Sequence, residues 1–127
     1  MKKLIAISML ALSSIAHAQW SEVAKESGST YSILNGHATI MSDERNIPVI
    51  LVKGKINDEA IIWMVSLPQC TLHKGKLAVT NSTGDVQSLV PYTFEDTKHL
   101  DAPASVALVM CLVADNMLTG KSILQPL

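Results

Sequence analysis

Cysteine is scarce: the 127-residue chain has two, and no Cys-x-x-Cys pair occurs. A thioredoxin-like redox pair is therefore excluded. The chain also lacks a Gly-x-Ser-x-Gly elbow, a Walker-type phosphate loop and a dinucleotide-binding glycine loop. Motif-borne esterase and nucleotide chemistry have no footing without them. Internal repeats and low-complexity segments are absent. Positive charge is short as well. Without Lys2 and Lys3, eight basic residues face eleven acidic ones, a formal charge of −3. Such a balance argues against nucleic acid, whose non-specific binding rests on neutralising phosphates.

What is present begins with a leader. Lys2 and Lys3 form a positive start, Leu4 to Leu12 is apolar, and Ala16-His17-Ala18 fits a small-x-small cleavage site. The expectation is a signal peptide over 1–18 and one exported domain over 19–127. No cysteine stands at the cleavage site, so the expected destination is the periplasm or beyond it, without a lipid anchor. The apolar run from Ala102 to Ala114 is too short to span a bilayer and reads as a core helix rather than a membrane span.

The chain is organised around Glu59 to Cys70. Ile61, Trp63, Val65 and Leu67 share one side of an extended strand, and Ala60, Ile62, Met64 and Ser66 share the other. Both sides are mostly apolar, which predicts a central strand buried on two faces. Pro68 should stop it. Around this strand the pattern predicts strands at 20–25, 47–56, 76–81 and 86–94, and a hairpin over 31–40 that pairs Ile33 with Ala38 and Tyr31 with Ile40. Asn35-Gly36 predicts a type I′ hairpin turn, since both positions need positive φ. Short links make the sheet antiparallel. Asp101 is placed to cap a C-terminal helix with Pro103 in its first turn, and Gly120 is placed to stop it. The fold class is thus α+β: an antiparallel sheet of about five to six strands with one C-terminal helix packed on one face.

Cys70 at the end of the central strand and Cys111 in the helix allow a single pairing. In an exported chain of this size, a Cys70–Cys111 disulfide is the expected state. Two unpaired buried thiols are the alternative.

Candidate chemistry is sparse. Cys70-x-x-His73 has a spacing a metal could use, with His37 and His99 elsewhere, but a zinc site wants three or four ligands. Neither a metal nor a cofactor is expected. The acid pairs Asp43-Glu44, Asp58-Glu59 and Glu95-Asp96 fall in turns and read as solvated charge, not as glycosidase carboxylates. No catalytic residue can be named. Lys53 and Lys55 share one side of a strand, and Thr71 to Lys76 reads as a basic loop carrying His73, Lys74 and Lys76. Grouped, these side chains would form a positive patch on an acidic domain, fit for anionic envelope polymers or an acidic protein surface. Tyr92 and Phe94 alternate with Val90 and could form an aromatic binding face, although core packing is the commoner use.

An early Trp20, a Tyr31-x-Ile33 strand, Cys70 after the central strand, and a helix begun by Pro103 and carrying Cys111 together resemble surface-adhesin protein E and its small relatives. That resemblance implies a bent antiparallel sheet holding a C-terminal helix by a disulfide, and a non-catalytic role in binding an envelope or host protein. Adhesin E is a surface lipoprotein, whereas this chain lacks the lipidated cysteine. Other readings of the same size and cysteine use are a periplasmic inhibitor or immunity protein against a lysozyme or toxin, and a small hydrolase.

Overall fold

The computed structural model describes residues 19–81 and 83–119. The expected signal peptide and Gly120 lie outside the described residues. Six strands form one antiparallel sheet in the order of the chain: β1 (Trp20–Glu26), β2 (Ser29–Ser42), β3 (Pro48–Ile56), β4 (Glu59–Ser66), β5 (Lys74–Thr80) and β6 (Val86–Thr93). A short helix, α1 (Leu67–Leu72), joins β4 to β5, and α2 (Ala102–Thr119) follows β6. The α+β arrangement with one helix on the sheet is thus as the sequence predicts.

Alternation along the strands decides which face α2 covers. Ile50, Val52, Ile61, Trp63, Val65, Leu77 and Val79 are all buried, on one face, against Val106, Ala107, Met110 and Ala114 of α2. Burying each large side chain contributes about 1.5–3 kcal/mol. α2 reaches both edge strands, β1 and β6, so the sheet curls around it. The helix begins as expected: the Ala104 amide donates to Asp101 Oδ1 at 2.9 Å. A second tie comes from the Ala102 amide, which donates to Glu26 Oε1 at 3.2 Å. α2 runs five residues past Ala114. At 18 residues it is long and apolar enough to cross a membrane by composition alone. Six of its residues are nonetheless packed into the sheet's core. Its outward row is not covered, since Leu112 and Leu118 are exposed.

Four expectations need correction. First, Asn35-Gly36 is not a hairpin. Only Gly36 of the pair has positive φ, and β2 continues through the step. Ile33 pairs with Gly54 and Ala38 pairs with Val52, so Leu34 to His37 bulge opposite Lys53 alone. Asn35 holds the bulge to β1, with Nδ2 donating to Ser21 Oγ at 2.7 Å and its amide donating to the Gln19 carbonyl at 2.8 Å. The two-residue turn with both φ positive is instead Ser27-Gly28. Second, β4 is buried on one face only, because among the described residues no second layer covers Ile62 and Met64. Third, Pro68 does more than end β4. It occupies the first turn of α1, where its missing N–H costs nothing, so Cys70 lies on a helix rather than at a strand end. Fourth, β5 begins at Lys74, two residues before the expected start at Lys76, so Lys74 and Gly75 belong to the strand and not to a loop.

Cys70 and Cys111 are joined, with Cα atoms 5.6 Å apart. The bridge links α1 to α2. A disulfide suits an oxidising compartment.

Candidate binding face

The face of the sheet away from α2 can be read off the register. Lys53 pairs with Ile62, and Ile62 with Thr80. Leu51 pairs with Met64, and Met64 with Ala78, which pairs with Leu89. Cross-strand partners share a face, and residues two apart along a strand share it as well. Lys55, Lys74 and Lys76 therefore stand on the same face as Lys53. From β1, Lys25 and Glu22 join them.

Charge is segregated by this geometry. Five lysines project from the strands on the helix-free face against one carboxylate, Glu22. Glu22 and Lys25 pair with each other at 3.8 Å, both well exposed, a contact worth little. Among the described residues Lys53, Lys55, Lys74 and Lys76 have no ion-pair partner. The other carboxylates lie in connections or on the helix side. Asp43 is one: hydrogen bonding from the Ile47 amide, with the Arg45 amide and guanidinium assisting, holds its carboxyl below the ordinary value.

The four lysines do not form one cluster. Lys53 and Lys76 are two strands and four residues apart, or about 10 Å across and about 13 Å along the sheet. Two cationic pairs thus flank an apolar strip made of Ile62 and Met64. Lys55 Nζ lies 4.5 Å from the centre of the Trp20 ring, a cation–π contact that fixes the pair's outer end.

The strip is hollowed. One hollow of about 300 Å³ is lined by His37, Leu51, Lys53 and Ile62 among others. A second of about 280 Å³ is lined by Trp20, Leu34, Lys53, Ala60 and Ile62 among others. Lys53 and Ile62 line both. The β2 bulge is the cause, because it throws Leu34 to one side of Lys53 and His37 to the other. Farther along, Met41, Met64 and Val86 share a hollow of about 520 Å³ rimmed by Asp43, Glu44 and Arg45. Met41 is 53% exposed, Val86 51% and Leu89 55%. These large apolar side chains stand open to solvent on this face.

The remaining residues singled out from the sequence sit elsewhere. His73 ends α1 with φ of 62°, and its ring lies 5.2 Å from that of Phe94. With Cys70 and Cys111 it lines a hollow on the helix side, away from the lysines. Tyr92 and Phe94 are 4% and 6% exposed, with rings stacked at 5.8 Å. They are core residues, not a binding face. Burial pushes the Tyr92 phenol up from its usual value. Among the described residues, no three of His, Cys, Asp and Glu come together as a metal would need. Leu34 and His37 are lining residues that strand pattern alone does not bring to this face. Their signal was the Asn35-Gly36 step, read as a turn.

Comparison with known protein families, curated proteins and solved structures finds no match.

Proposed function

We propose that the protein is a non-catalytic interaction module of the bacterial envelope that binds an anionic partner through the helix-free face of its sheet. One observation carries this reading. A domain with formal charge −3 over residues 19–127 puts five lysines and one glutamate on the strands of that face. Segregated charge of this kind raises the local concentration of oppositely charged partners and speeds their encounter. The disulfide supports an exported location. The resemblance to adhesin E points the same way, toward contact rather than catalysis.

A column of immobilised polyglutamate tests the charge reading. Wild-type protein should be retained at low salt and released as salt screens the contact. Replacing Lys53, Lys55, Lys74 and Lys76 by Gln should leave the circular dichroism spectrum intact and abolish retention. Equal retention of the folded variant would contradict the reading.

A further inference from the structure

Lys53 stands where two apolar hollows meet, and its ammonium has no ion-pair partner among the described residues. We propose that this furrow binds a long-chain carboxylate of the fatty-acid type. Its head pairs with Lys53 and its tail lies over Ile62 toward Trp20 and Leu34. The inference rests on the reading that the helix-free face is a binding surface, and it names the ligand of that face.

The second hollow is walled mainly by apolar side chains, the first by Met41, Leu51 and Ile62 with His37 and Thr39, and Lys53 is the cation common to them. Lys55 is engaged over Trp20, so one cation is left for one anionic head. A charge-assisted contact against apolar walls is stronger than the same contact in water. Joined, the hollows fall within the volume range of ordinary small-ligand sites.

β3 is hydrogen-bonded to β2 and β4, and β4 to β3 and β5. Over Lys53 and Ile62, where β3 pairs with β4 and β4 with β5, the floor therefore offers few free N–H or C=O groups; the unpaired backbone lies at its margins, in the bulged Leu34 to His37 and at Ala60 and Ile61. An extended peptide lying there would bury amides without partners, at a cost of roughly 1–3 kcal/mol each. Peptides that add to sheets do so at edges, where backbone groups are free. An acyl chain has no such groups to satisfy.

A second copy docked face to face would bring lysine-bearing faces together. Like charges placed against each other in a drying interface oppose that contact.

Trp20 is 43% exposed and lines the furrow, whereas Trp63 is 1% exposed in the core. Ligand binding should therefore be visible in Trp20 emission. Dodecanoate, titrated below its micelle concentration into the full-length protein as expressed, should give a saturable blue shift. Acetate at the same concentrations should give none. Lys53→Met keeps an unbranched apolar stem and removes the charge. It should weaken dodecanoate binding roughly tenfold or more. Dodecyltrimethylammonium, with the opposite charge on the same tail, should bind less well than dodecanoate. In a Trp20→Phe variant the blue shift should vanish while calorimetry still records binding. No saturable shift with dodecanoate, equal affinity for the cationic amphiphile, or unchanged affinity in folded Lys53→Met protein would each overturn the assignment. So would a dimer in solution that Ile62→Glu dissociates, since the face would then belong to a second copy. If dodecanoate fails while polyglutamate is retained, the ligand assignment falls and the anionic-partner reading stands.

Discussion

A Cys70→Ala/Cys111→Ala double variant should lose about 4 kcal/mol of folding free energy, the chain-entropy value for a bridge closing a loop of this size. The two cysteines are 41 residues apart in sequence, so the bridge removes much of the freedom of the unfolded chain between β4 and α2. It also pins α1, which has no buried residue of its own. Domains of this size are stable by only about 5–15 kcal/mol, so the variant should unfold at a much lower urea midpoint. Its m-value should rise, since the uncrosslinked unfolded chain exposes more surface. Wild-type protein with its disulfide reduced should behave like the variant. A midpoint shift equivalent to less than about 1 kcal/mol, against the 2–5 typical of such bridges, would show that packing alone holds α2 to the sheet.

Gly54→Ala should cost about 3 kcal/mol, combining overpacking with damage to a buried hydrogen bond. Gly54 lies on the helix-side face of β3, and a Cβ there would collide with the Trp63 indole and the Ser32 carbonyl. Trp63 lies across that gap. Its Nε1–H donates to the Ser32 carbonyl at 3.1 Å, and its ring sits 6.1 Å from that of Tyr31. An added methyl must displace the ring or the strand, and close-packed cores resist both. The interaction can be isolated by a double-mutant cycle. Trp63→Phe shortens the ring and vacates the space over Gly54. Gly54→Ala should therefore cost much less in a Trp63→Phe background. Additive losses in urea denaturation would mean that the two residues do not compete for the same space.

Much of this architecture was legible because local chemistry determines it. Asp101 and Pro103 mark the start of α2 whatever it packs on. Alternation in β4 placed Ile61, Trp63 and Val65 on one face. Two cysteines left one internal pairing. What escaped depended on distant partners. Asn35-Gly36 does signal positive φ, and Gly36 has it. Whether the chain then reverses or bulges is decided by pairing with β1 on one side and β3 on the other, which no local window contains. The apolar pattern of Ile62 and Met64 says that their face avoids water, not that a second layer exists to cover it. Likewise, Lys53 and Lys55 were legible as sharing one side of a strand and Lys74 and Lys76 as a basic loop, while their common face needed the register of β3, β4 and β5. His73 was grouped with Lys74 by sequence, yet the left-handed turn ending α1 sends it to the helix side.

The most direct test of the account is an amide chemical-shift map of the isotope-labelled protein titrated with soluble polyglutamate. Salt-sensitive shifts are expected at Lys53, Lys55, Lys74 and Lys76 and along Ile62 and Met64, while Val106, Ala107 and Met110 stay unmoved. Shifts gathered instead along the outward row of α2 around Leu112, or the absence of saturable shifts at low salt, would contradict it.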